Sequence, residues 1–368
     1  MKVLLFTLEY PPFKGGVANY YDNLVKYWEK PDEIFVLHNN ENKLIKKWIF
    51  PRWLLAILQL WISVKKNNIK HILVGHVLPL GTATYFVSRF IKIPYSVILH
   101  GMDFAFALKN NRKKVITKKI LNNAENIICG NSYTAGLVKE FLGDEKGGKV
   151  KVVNPGISSR FKNIDLRFKS LLEHKYNLRN KIVLLSVGRL VKRKGFDKVI
   201  ESLPEVLKKV PNLVYIIVGN GSEILNLKSK ILNLNLKDNI IIITDADDKE
   251  RNSWYNTSDI FIMPSRNIDG DFEGFGIVYL EANLAGKPVI AGDSGGVRDA
   301  VVDNLNGLLV DPESKDEIYN AIIKLAEDEE LREKLGEQGR ERVVREFRLE
   351  KQVKKIYDIY NNSNLQSS

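Results

Sequence analysis

The sequence has one cysteine, Cys129, so no intrachain disulfide can form and no cysteine cluster offers a metal site. Both absences fit a reducing cytoplasm. No apolar run is long enough to span a bilayer. The stretch from Met1 to Glu9 is too short for a signal-peptide core and reads as a first buried strand. Acids are scarce in one region: between Asn42 and Ala124 the only acid is Asp103, against fifteen lysines and arginines. The net charge is +12, so this region holds more than the whole excess. Such a patch attracts nucleic acid, anionic lipid or an anionic substrate. Also missing are G-x-G-x-x-G and G-x-x-x-x-G-K-S/T, which removes the dinucleotide fingerprint and the P-loop from consideration.

What is present is a series of short, nearly all-apolar runs, each followed by a turn and a helical pattern. The first six are Val3–Leu8, Glu33–His38, His71–Gly75, Tyr95–His100, Ile127–Gly130 and Val150–Val153. After a polar stretch from Asn154 to Asn180 the series restarts with Ile182–Val187, Leu213–Val218, Ile240–Thr244, Ile260–Pro264, Val289–Ala291 and Leu308–Val310. Parallel strands buried on both faces need apolar residues at every position, not every second one. Alternating strand and helix means doubly wound sheets. The pattern therefore predicts two Rossmann-like α/β domains, with functional residues just after the strands.

Four segments carry chemistry at that edge, and a fifth is open to either reading. In Glu273-Gly274-Phe275-Gly276-Ile277-Val278, glycines lead into a helix start whose free N–H groups favour a phosphate. Glu281 lies about two helical turns beyond Glu273, so a carboxylate stands on each side of the turn to meet sugar or ribose hydroxyls. Taken alone, Glu273 reads as a solvated glutamate; the segment as a whole reads as a site. In Gly188-Arg189-Leu190-Val191-Lys192-Arg193-Lys194-Gly195, Arg189 and Lys194 can neutralise a diphosphate leaving group. Gly15 and Gly16, before a helix, can offer amides to a phosphate. His100, at a strand's carboxyl end, can hydrogen-bond a substrate. The turn Gly219–Glu223 suits either a base contact or plain chain reversal.

These segments resemble the retaining GT-B glycosyltransferases of family 4, which include bacterial phosphatidylinositol mannosyltransferases. The carriers are the E-x7-E spacing of Glu273 and Glu281, Gly188-Arg189 with Lys194-Gly195, Gly15-Gly16, His100-Gly101 and Asn154-Pro155-Gly156. The resemblance implies two Rossmann-like domains facing a cleft: an acceptor-binding domain (1–158), a linker (159–180), a donor-binding domain (181–348) and a tail helix (349–368) crossing back to the first domain. It implies that Glu281 binds the ribose, Glu273 the donor sugar, and the amides near Phe275–Val278 the diphosphate region. Arg189 and Lys194 would hold the diphosphate, Gly15 and Gly16 would touch the donor phosphate, and His100 would sit near the reacting sugar. No metal or other cofactor is implied, and Asp245-Ala246-Asp247 falls near the nucleobase. The segment from Glu273 to Ala282 reads closest to mannosyltransferases, hence GDP-mannose as donor.

The reading is therefore a cytoplasmic hexosyltransferase acting on a lipid-linked or glycan acceptor, with its basic first domain able to meet the inner face of an anionic membrane. The lysines and tryptophans around Lys46–Trp53 suit such a surface, while the apolar residues of Leu58–Val64 read as a buried helix. An epimerase of the same fold is one alternative. A nucleic-acid-binding protein is another, against which stands the lack of an aromatic-rich recognition motif.

Overall fold

All twelve apolar runs become strands, with ends within one residue of those read from the sequence. The computed structural model describes residues 1–368 except 14, 47, 49, 159–165 and 366–368, together with some side chains next to these. Lys47, and residues 159–165 of the expected linker, thus lie outside the described residues.

The chain forms two units, Met1–Gly156 with Leu349–Ser368, and Ile157–Arg348. The first unit runs β1 (Val3–Thr7), α1 (Gly16–Lys26), β2 (Ile34–His38), α2 (Leu54–Asn67), β3 (His71–Val74), α3 (Leu80–Ile91), β4 (Tyr95–Leu99), α4 (Met102–Ala107), α5 (Asn111–Asn123), β5 (Ile127–Cys129), α6 (Ser132–Leu142) and β6 (Val150–Val152). The second holds α7 (Leu166–Lys175), β7 (Ile182–Val187), α8 (Phe196–Lys209), β8 (Leu213–Val218), α9 (Ile224–Asn233), β9 (Ile240–Ile243), α10 (Asp248–Thr257), β10 (Ile260–Met263), α11 (Ile277–Leu284), β11 (Val289–Gly292), α12 (Val297–Ala300), β12 (Gly307–Val310), α13 (Lys315–Glu327) and α14 (Glu329–Glu346). The last helix, α15 (Leu349–Leu365), belongs to the first unit.

Each unit has one six-stranded parallel sheet, ordered β2-β1-β3-β4-β5-β6 and β12-β11-β10-β7-β8-β9. The first sheet is covered on both faces. Leu4, Phe6, Ile72, Val74 and Val97 pack against α2, α3 and α5, and the alternate residues Val3, Leu5, Leu73 and Ile98 against α1 and α15. This two-sided burial is why the runs lack alternation. Residues 166–180, expected as a linker, hold α7 and bury Leu172 and Leu178 in the second unit's core.

One expectation is corrected. The helix α2 buries only Ala56, Leu60 and Val64; Leu58, Trp61 and Ile62 are exposed. A run apolar on nearly all sides does not reveal which side meets the sheet. No helix among the described residues is long and apolar enough to cross a membrane.

Candidate active site

The second sheet's strand order reverses between β7 and β10, which are neighbours. Loops leaving the carboxyl ends of two such strands turn to opposite faces and open a crevice. The loop after β7 carries Arg189 and a short turn, Lys192–Lys194. The loop after β10 carries Glu273 and leads into α11. The two loops are packed together at Gly195, whose φ is +76° and where a Cβ would lie 2.1 Å from the Pro264 carbonyl oxygen. No other residue fits that conformation and that approach.

Lys194 is buried and pairs with Glu273 Oε2, and Arg193 Nη1 donates to the same oxygen at 2.9 Å. The Ser265 hydroxyl approaches it at 3.4 Å, and Arg193 Nε also meets Asp271 at 3.0 Å. Glu273 is thus a buried carboxylate between two cations, not a solvated loop residue. Burial alone would raise its pKa, but Lys194 and Arg193 outweigh it and hold the carboxyl below its usual range. Burial lowers the Lys194 ammonium, and Glu273 opposes that. These bonds to Glu273 all converge on Oε2. Arg189, the other expected cation, is exposed. A buried cation with fixed geometry and an exposed one free to close on a ligand are different tools.

Gly276 begins α11 with φ +83°, where a Cβ would lie 2.3 Å from the Tyr279 ring. No side chain caps this helix, so the N–H groups of Ile277 and Val278 open the helix without a carbonyl one turn earlier. That is an anion-binding start. Phe275, expected at the nucleotide, buries its ring against Phe347 at a centroid distance of 5.7 Å, so only its backbone can serve a ligand. Glu281 accepts a hydrogen bond of 2.5 Å from the buried Tyr255 hydroxyl, and burial raises its pKa. Asp247 accepts from the Glu250 amide at 2.7 Å and caps α10.

In the first unit the order reverses between β1 and β3. Just past these strands stand Glu9 and His76, 3.8 Å apart. His100 follows β4, and its Nε2 lies 2.8 Å from the Tyr21 hydroxyl, which donates to the Gly75 carbonyl at 2.7 Å. The phenol has one proton and gives it to Gly75, so His100 must donate from Nε2 and keeps Nδ1 as an acceptor. Burial, with His76 nearby, pushes the His100 pKa down to about 3, so the ring is neutral. Asp103 accepts from the His100 and Gly101 amides, both at 3.0 Å, and fixes the turn. Gly15 and Gly16 start α1, and Gly16 has nothing within 4 Å of where a Cβ would stand.

The family model of the group 1 glycosyl transferases matches residues 169–342. A GDP-mannose-dependent alpha-(1-6)-phosphatidylinositol monomannoside mannosyltransferase of Mycobacterium tuberculosis is 28% identical over 70% of this chain and 67% of its own. Its counterpart in Mycolicibacterium smegmatis is 25% identical over 92% of each chain. The crystal structure of Anabaena HepE in complex with UDP is similar in fold, with a TM-score of 0.85, 18% identity, and coverage of 98% of this chain and 100% of that one. The chain has the GT-B fold, and its residues 169–342 match the group 1 glycosyl transferases.

Of the residues expected at the site, the structure brings Lys194, Glu273 and the start of α11 together in the second unit. It places Gly15, Gly16 and His100 at the carboxyl edge of the first. The sequence reading missed Arg193, Glu9 and His76. Arg193 is one of three consecutive cations, and residue type alone does not say which turns inward. Glu9 and His76 each follow an apolar run, the same signal that found His100.

The carboxylates predict separable defects. Glu281→Ala should weaken binding of a free nucleoside diphosphate by about tenfold or more, the loss of a charge-assisted hydrogen bond, whereas Glu273→Ala should lower turnover first. Calorimetry with the nucleotide, set beside kcat for both variants, checks this; the reverse pattern would swap the roles.

Proposed function

We propose that the second unit binds a nucleoside-diphosphate hexose between the loops after β7 and β10, with GDP-mannose as the donor. The hexosyl group is transferred with retention to a lipid-linked or glycan acceptor held by the first unit. The observation that carries the reading is the buried ion cluster Lys194–Glu273–Arg193 next to the uncapped start of α11. Preorganised cations and amides at one point are what a departing diphosphate needs, because its charge grows as the bond to the sugar breaks. The anomeric carbon–oxygen bond to the diphosphate breaks, the acceptor oxygen bonds that carbon on the same face, and the acceptor's proton passes to a departing phosphate oxygen. Glu273 holds Lys194 and a sugar hydroxyl; it is not a nucleophile, since its carboxylate already faces two cations. The mannosyltransferase relatives support mannose and guanine.

Arg189, Arg193, Lys194 and the helix start supply positive charge, so the reaction is expected to need no divalent metal. A thermal-shift panel of GDP, UDP, GDP-mannose and UDP-glucose tests the reading. A ligand at a hundred times its Kd stabilises by about 2.7 kcal/mol, and GDP-mannose should give the largest shift. Turnover with that donor should survive a chelator. No shift with any nucleotide would sink the donor site, and activity lost to the chelator and restored by magnesium or manganese would sink the metal-free scheme.

A further inference from the structure

Two cations side by side do not stay on one carboxylate oxygen unless something holds them. Arg193 and Lys194 are consecutive, and Arg193 works against the Lys194 ammonium, as like charges must. Their turn, Lys192–Lys194, is a single short one. Its close approach to the β10 loop at Gly195 and Pro264 is one point of contact, and one point is a pivot.

Arg266 supplies the rest. It is a charged residue only 4% exposed, one position past Ser265 in the loop after β10. Its amide donates to the Arg193 carbonyl at 2.8 Å. Its guanidinium reaches past Lys194, where Nη2 donates to Asp197 Oδ1 at 3.1 Å and Oδ2 at 2.9 Å. Asp197 sits in the first turn of α8, where the positive end of the helix dipole favours a carboxylate. Glu313 stands 3.5 Å from Arg266 Nε, but its side chain is exposed. One residue of the β10 loop thus grips the β7 loop both before and after Lys194. Apolar residues of the same volume would give as much stability as a buried ion pair. What this pair supplies is a fixed position.

We infer that Arg266, through its pair with Asp197, is a positioning residue: it sets Arg193 and Lys194 where the departing diphosphate develops its charge, without itself touching the donor. The inference rests on the donor reading above. Stabilisation of this kind depends on placement, and an error of about 1 Å costs up to about a hundredfold in rate.

Calorimetry of the full chain with GDP and with GDP-mannose tests this without an acceptor. The terminal phosphate of free GDP carries the charge that develops during transfer, and the intact donor does not yet carry it. Loosening the turn in R266A should therefore weaken GDP by about tenfold and GDP-mannose by less than about threefold. Release of GDP from GDP-mannose, with water as the acceptor, should slow by about tenfold or more at unchanged KM. R266K and D197N should fall between the wild type and R266A. The double variant R266A/D197A should lose no more than R266A alone, because both residues act through one contact. Added guanidinium ion should restore part of the rate of R266A and none of that of K194A. Should R266A fail to fold, R266K and D197N give the same comparison. GDP and GDP-mannose weakened by the same factor, or neither weakened while Tm falls, would overturn the inference and leave Arg266 a purely structural residue beside an intact donor site. A wild type that binds neither nucleotide would sink the donor reading and the inference with it.

Discussion

Lys194→Ala is expected to damage the protein twice, in stability and in turnover. The ammonium is buried against Glu273, and without it the carboxylate stays buried with Arg193 as its remaining cation. Removing one partner of a buried pair costs about 3–5 kcal/mol, and the low end applies because Arg193 remains. For a unit of this size that is a fall in Tm of roughly 6–12 °C. Turnover should drop by about a hundredfold, as for the loss of one group that stabilises developing charge. Arg189→Ala should lower turnover by a similar factor and leave Tm unchanged, because Arg189 is exposed. Pairing Lys194→Met with Glu273→Gln should recover much of the stability and none of the activity, which separates the two effects. Thermal unfolding and steady-state rates on the same variants decide the matter. A near-wild-type rate for Lys194→Ala would remove Lys194 from the chemistry, and a large loss of Tm for Arg189→Ala would show that it is not a free cation.

Acid should destabilise the protein well before its carboxylates titrate. His71 is buried and His100 half-buried, and loss of hydration pushes each pKa from the ordinary 6.5 down to about 3. The unfolded chain takes up a proton on each ring below pH 6.5, and the native chain does not until about pH 3. The unfolded state therefore binds more protons across that window, and stability present above pH 6.5 is lost as the pH falls. Two such groups amount to about 4 kcal/mol between pH 7 and pH 5. Asp103 and Glu281, whose pKa values burial raises, act in the opposite direction but nearer the carboxylate range. Urea unfolding at pH 7 and pH 5 measures the difference. His71→Gln, which can still bond the Ser96 hydroxyl that His71 now meets at 3.0 Å, should remove about half of it. Equal stability at the two pH values would mean that the rings are protonated in the native state.

The sheets could be read from the sequence because both faces of each strand are covered. Ile182–Val187 is apolar throughout for that reason, and its ends match the run read from the sequence. The site was partly legible by the same logic. Lys194, Glu273 and His100 lie just past strands, where a doubly wound sheet puts its ligands. Strand order was not legible, and it is strand order that sets β7 beside β10 and β1 beside β3. Without it nothing paired Glu9 with His76, or turned Arg193 toward Glu273 while Arg189 stayed outside. The outer face of α2 was hidden for a different reason. Leu54, Leu55, Ile57, Leu58, Leu60, Trp61 and Ile62 leave only Gln59 and Ser63, too narrow a polar side to orient the helix.

The helix α15 sets an order of events during synthesis. Its Val353, Ile356, Tyr357 and Tyr360 pack with Trp28, Leu5 and Ile98 in the core of the first unit, and the Tyr360 hydroxyl donates to the Met1 carbonyl at 2.9 Å. Those residues leave the ribosome after all 192 residues from Ile157 to Arg348. The first sheet therefore emerges first but has one face only partly covered, by α1, until the last helix arrives, while the second unit has all its own elements and can close ahead of it. For that interval Leu5, Leu73 and Ile98 are a sticky surface on a nascent chain. A ribosome stalled near Arg348 should hold a finished second unit joined to an unfinished first one, the form most exposed to chaperones.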